Sequence, residues 1–144
     1  MQPYTPVDLD AVLELWDRPV GDRPDPAADF RRHYADPVPV NGVPVGADGL
    51  VARARALQAA FAQRRTELVH RVETADRLVI GFYLHARHAG AYDTALGRVE
   101  ATGRPVRIRV NDILTVRDGL ITDIWVMSDE VDLLRQLGRL PSSV

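Results

Sequence analysis

The sequence predicts an α+β fold, with helices first and a meander of long antiparallel strands after them. Three observations carry this. Apolar residues recur at helical spacing early in the chain and again near its end. After Arg65 they alternate with period two instead. Tight-turn signals at Ala75-Asp76 and Asp118-Gly119 separate the alternating segments. A curved sheet of this kind buries one face against the helices, and a ligand pocket is expected in the concavity between them.

The elements follow in order. Leu9, Val12, Leu13 and Trp16 obey the i, i+3, i+4, i+7 rule of one buried helix face. Pro6 and Asp8 suit the start of this helix and Pro19 stops it. The stretch RPVGDRPDP is a loop by composition. A short second helix is expected from about Pro26 to Ala35, with Phe30, His33 and Tyr34 on one side. VPVNGVPVGADGL reads as a proline-interrupted edge strand and turn. A long helix comes next, capped by Asp48, with Leu50, Ala54, Leu57 and Phe61 as its apolar stripe. Arg53, Arg55, Arg64 and Arg65 fall mostly on its wet face. Strands are expected at 67–74, 77–88, 105–117 and 121–129, with a loop at 89–103. EVDLLRQLG forms a short closing helix, with Gly138 past its end.

Composition narrows the chemistry. The 144 residues suit a single domain over 1–144. A formal net charge of -2 argues against nucleic acid as a partner. No apolar run is long enough to span a membrane. MQPYTPVDLD has no basic n-region and no apolar h-region, so no signal peptide is read and a cytoplasmic location is expected. The absence of cysteine removes disulfides, thiol nucleophiles and thiolate metal sites. All 18 basic residues are arginine, so Schiff-base catalysis, pyridoxal phosphate attachment and a P-loop lysine are removed together. Carbonyl chemistry here must rest on acid–base groups and hydrogen bonds.

Candidate site residues lie on the strands. Leu78, Ile80, Phe82, Leu84, Ala86 and His88 share one face of 77–88, which should front the core or the pocket. His88 ends that stripe and is either an acid or base or a strand-end histidine half in solvent. His85 points to the opposite face, so a shared metal is not expected. Ile121, Asp123, Trp125, Met127 and Asp129 share one parity of the last strand, and Trp125 seeks burial. Asp129 reads two ways: a general base with its pKa raised against an aromatic wall, or the cap of the closing helix. Asp112 interrupts the apolar stripe of Ile108, Val110, Leu114 and Val116, which calls for a partner or a function. Tyr34 and Asn41 could hydrogen-bond a ligand oxygen, and Phe61 and Phe82 are expected as apolar lining.

Five motifs carry a family resemblance. They are YADPVPVNG at 34–42, GADGL at 46–50, RHAG at 87–90, TGRPV at 102–106 and RDGLITDIWVMSDEVDLLRQLG at 117–138. Together the chain resembles the SnoaL-like polyketide cyclases of the nuclear transport factor 2-like superfamily. The resemblance implies a cone-shaped curved antiparallel sheet wrapped by N-terminal helices, also described as a cystatin-like α+β barrel. It implies an aspartate after the tryptophan as general acid/base in an intramolecular aldol closure, here Asp129. It places His88, from the His-x-Gly motif, in the same pocket, with Asn41 and Trp125 as lining. It implies no cofactor and no metal, a small polyketide-like substrate, and a homodimer through the outer sheet face bearing Val79, Tyr83, Ile113 and Thr115. The chain departs from the family pattern in DGLI for DGKI, in Thr115 where an arginine is frequent, and in ATG for PTG.

Three readings follow. One is a cofactor-free cyclase in natural-product biosynthesis. A second is an epoxide-opening cyclase or hydrolase, or an isomerase, on the same cone. A third is a non-catalytic ligand-binding or dimerisation module.

Overall fold

The computed structural model describes residues 5–140. The first helix, α1 (Leu9–Asp17), is capped by Asp8, whose carboxylate accepts from the Ala11 amide. A single 3-10 turn at Val20–Asp22 leads to α2 (Pro26–Arg31), which Asp25 caps in the same way. This helix ends four residues before the expected Ala35. The backbone of His33 and Ala35 is recruited by Ile121 instead: Ile121 N donates to His33 O and Ala35 N donates to Ile121 O. Pairing to the sheet therefore outcompetes one more helical turn, and it fixes Tyr34 beside the sheet.

The segment after Tyr34 folds as a hairpin of β1 (Val38–Val40) and β2 (Val43–Val45). Its turn, Asn41-Gly42, has both residues at positive φ, the geometry that favours this pair. The long helix α3 (Ala47–Ala60) begins at Gly46, and Asp48 lies in its first turn without capping it. Asp36 supplies the missing acceptor, taking the Ala47 amide at 3.0 Å while pairing with Arg31 at 2.9 Å.

Helix α3 runs directly into β3 (Phe61–Glu73), which begins six residues before the expected strand. Then come β4 (Arg77–His88), β7 (Pro105–Arg117) and β8 (Leu120–Ser128) as antiparallel neighbours. Between β4 and β7, the loop at 89–103 contains a small separate hairpin, β5 (Tyr92–Thr94) and β6 (Gly97–Val99). The main sheet order is β2-β1-β8-β7-β4-β3, and only β1–β8 is parallel. The closing helix α4 (Glu130–Gln136) ends before Gly138, which adopts positive φ.

Three register breaks shape the sheet. They lie between Ala62 and Arg65, between Leu68 and His70, and between Thr115 and Val116 opposite Thr122. Each inserts a residue and bends its strand, so the sheet curves around α1 and α3. The core lies on the concave side, with Phe30, Leu50, Ala54 and Ile121 almost fully buried. A second apolar cluster joins Phe61, Val99, Val106 and the inner residues of α4. Among the described residues no helix is long and apolar enough to cross a membrane.

Candidate active site

A cavity of about 470 Å³ lies between the concave sheet face and the helices. Ile80, Phe82 and Leu84 of β4 and Ile108, Val110 and Leu114 of β7 form its floor. Val12 and Trp16 of α1 and Leu50 and Leu57 of α3 cover it. These positions follow from uninterrupted alternation on β4 and β7, which sends every second side chain inward. Such an apolar chamber with a few convergent polar groups is the usual form of a small-molecule site.

Asp112 is a polar group in this apolar lining. It shares the inner parity of β7, opposite Ile80 on β4 and Val126 on β8. Its Oδ1 is buried and has no hydrogen-bond partner among the described residues. Burial among apolar side chains pushes its carboxyl up to about 7. At neutral pH both protonation states are therefore populated, which is what a group that takes and then returns a proton requires.

Tyr34 also faces the cavity and is nearly fully buried. Its oxygen accepts from the Trp16 indole N–H at 2.8 Å, so its own O–H remains to donate. Burial chiefly raises its pKa, and the nearby Asp112 carboxylate adds to this, so the phenol stays neutral. Phe30 fixes the pair, meeting Trp16 edge-on at 5.3 Å and stacking on Tyr34 at 5.8 Å.

The other expected site residues are not in this chamber, with the exception of Phe82. The Thr122 bulge explains Trp125 and Asp129. Val116 pairs with Ile121, but Thr115 pairs with Asp123, so one residue is skipped. Parity reverses there, Ile124, Val126 and Ser128 line the cavity, and Trp125 is 53% exposed on the outer face. Asp129 follows the outer parity. It caps α4 through the Asp132 amide and receives a 2.6 Å hydrogen bond from Arg109. That guanidinium, with the cap, holds its carboxyl below the usual carboxylate range, contrary to the raised pKa expected for a base. Asn41 is a strand clamp: its amide donates to Val126 O and accepts from Val126 N.

His88 is fully buried beneath the 89–103 loop rather than in the cavity. Its Nδ1 accepts from the Thr102 amide at 3.2 Å and lies 3.0 Å from the Thr102 hydroxyl, which assigns the ring proton to Nε2. Burial lowers its pKa, so it is neutral at pH 7. Phe61 starts β3 instead of continuing the helix and packs on His88 and Tyr92. Gly90 completes the motif, because a Cβ there would lie 2.2 Å from the Ala59 carbonyl oxygen. The His-x-Gly pair therefore anchors a loop whose Tyr92 reaches the cavity.

Sequence reasoning missed Trp16, Tyr92 and Arg64 as cavity residues. For Arg64 a signal existed. Carried backwards from Thr66, the strand alternation puts residue 64 on the inner face. Among the described residues no group of three or more His, Asp or Glu side chains is placed to hold a metal ion.

The curved sheet wrapped by helices around an apolar chamber is an architecture shared with proteins of the ketosteroid isomerase-like fold. The SnoaL-like polyketide cyclase pattern matches residues 9–137, and the chain belongs to that family. Solved structures agree in fold. A SnoaL-like polyketide cyclase from Agrobacterium tumefaciens shares 22% identity at a TM-score of 0.70, covering 96% of this chain and 100% of that one. TsrD from Streptomyces laurentii shares 24% identity at a TM-score of 0.71, over 93% and 99%. A Catenulispora acidiphila protein with a ketosteroid isomerase-like fold, solved with trimethylamine, shares 16% at 0.67, over 96% and 97%. No curated protein matches the chain in sequence.

Proposed function

We propose that this polyketide cyclase closes a ring by intramolecular aldol addition without a cofactor, with Asp112 as its general base and then its general acid. The observation that carries this reading is the half-buried carboxyl of Asp112, whose Oδ1 is buried without a partner among the described residues and which is poised near neutrality in an apolar chamber. The ionised carboxylate removes a proton from a carbon α to a substrate carbonyl. The C–H electron pair forms the enolate, whose oxygen the Tyr34 O–H stabilises as a hydrogen-bond donor. The α carbon then bonds to the carbon of a second carbonyl in the same molecule. The resulting alkoxide takes the proton back from Asp112, which returns to its ionised state. The chamber holds the two carbons together, which lowers the entropic part of the barrier. Family membership supports the substrate class.

The same reading includes a homodimer through the outer sheet face, where Ile113, Trp125 and Met127 are exposed. Light scattering that shows a monomer at micromolar concentration would remove that part.

The test is proton exchange in heavy water with a panel of β-keto aromatic esters, read at the α carbon by mass spectrometry. Wild type should incorporate deuterium, and Asp112→Asn should lose about 10²–10⁴ of that rate. Full exchange in Asp112→Asn would sink the reading.

A further inference from the structure

The cavity has a second polar end, and its chemistry differs from that of Asp112. Arg64 lies in the bulge between Ala62 and Arg65, beside the Ala86 level of β4. Its side chain is only 10% exposed and lines the cavity. One nitrogen, Nη2, reaches Asp17 Oδ1 at 3.2 Å. The other two, Nε and Nη1, are buried with no acceptor among the described residues. A guanidinium keeps its charge, so these are cationic donors withdrawn from water and not repaid by the protein.

A tether between α1 and β3 explains only part of this. The Asp17 contact would be served equally by an exposed arginine, since Asp17 is itself 37% exposed. Nothing in that role accounts for burying two further donors in the cavity wall. Arg53 of α3 also lines the cavity and makes no ion pair among the described residues. Asp112 apart, the charged lining of the cavity is Arg64, Arg53 and Asp17, two guanidinium groups against one carboxylate. An anionic group of a ligand would supply the missing acceptors.

Position adds a length. Asp112 stands at the Ile80 level of β4, and Arg64 beside Ala86. Six residues of strand separate the two levels, roughly 20 Å at the backbone. The two polar groups therefore address opposite ends of an elongated molecule.

We propose that Arg64, assisted by Arg53, is a carboxylate-binding subsite, so that the substrate is an elongated anion held by its carboxylate at the end remote from Asp112. This rests on the reading of the cavity as a carbonyl-cyclising site. It makes Arg64 a specificity-determining residue, selecting a free acid over its ester or amide.

The experiment is calorimetric titration of the full chain at pH 7.5 with anthraquinone-2-carboxylate and, separately, with the neutral anthraquinone-2-carboxamide. Wild type should bind the carboxylate about tenfold or more tightly than the amide. Arg64→Met should lose that preference, with amide affinity changed less than about threefold, and Arg64→Lys should recover part of it. Equal affinity of wild type for the two compounds, or a preference that survives in Arg64→Met, overturns the proposal. The wild-type comparison decides even if a variant fails to fold. Exchange at the α carbon separates the two ideas. A carboxylate preference that needs Arg64, found together with full exchange in Asp112→Asn, would retire the catalytic reading and keep the subsite.

Discussion

The Trp16 indole N–H donates to the Tyr34 hydroxyl oxygen at 2.8 Å, across eighteen residues and the gap between a helix and the sheet. This bond occupies the phenol as an acceptor and leaves it to act as a donor. Removing the hydroxyl in Tyr34→Phe should lower kcat about 10²-fold, the typical cost of one oxyanion donor. KM should change little, because the interaction strengthens only as charge develops on the substrate oxygen. Trp16→Phe should produce a smaller fall of the same kind. Steady-state kinetics on the cyclised substrate measures both.

Asp112 should make activity rise with pH through about 7, since only its ionised form removes a proton. Stability should move the other way. The unfolded chain ionises this group near 4 and the folded chain near 7, so folding binds a proton between those values. Stability therefore falls as pH rises from about 4 to 7, by at most about 4 kcal/mol. The melting temperature of Asp112→Asn, compared with wild type, should gain on it between pH 4 and 8. An unchanged gap across that range would refute the buried titration.

Asp129 should behave as a structural residue. Asp129→Asn should keep α-proton exchange within about threefold of wild type, because the side chain lies outside the cavity. Asp129→Ala should cost about 1 kcal/mol of stability through loss of the α4 cap. Exchange rates and denaturant melts of the two variants check this, and a collapse of exchange in Asp129→Asn would return it to the site.

His88 should govern the order of the 89–103 loop. Its pKa is depressed by burial, so its contribution is complete above the unfolded value of about 6.5 and is lost as pH falls through the lower folded value. His88→Ala should remove the acceptor for the Thr102 amide and cost about 2 kcal/mol. Hydrogen exchange should show the 89–103 amides losing protection in this variant while β4 and β7 keep theirs.

Gly90→Ala should be more damaging than a loop substitution ordinarily is. Its methyl group would meet backbone at Ala59, which cannot rotate aside. A drop of several degrees in melting temperature is expected, without any change in the pH dependence of the activity that remains.

Much of this protein was legible in its residues. Alternation along 77–88 and 105–117 has no interruption, so the bounds of β4 and β7 and their inner faces followed from hydropathy alone. The same argument exposed Asp112 as a carboxyl in an apolar stripe. The motifs at 34–42, 87–90 and 117–138 were enough to name the family. What tertiary structure decided was parity wherever the ladder skips a residue. The bulge at Thr122 turned Trp125 and Asp129 outward. Arg64 instead reached the cavity because α3 ends at Ala60 and the strand begins at once, so that alternation with Thr66 points it inward. A single inserted residue reverses every side chain beyond it and leaves no mark in composition or spacing, because it is fixed by pairing with the neighbouring strand. His88 and Tyr34 tell the same story at longer range: each took its role from a partner elsewhere in the chain, Thr102 in one case and Trp16 in the other.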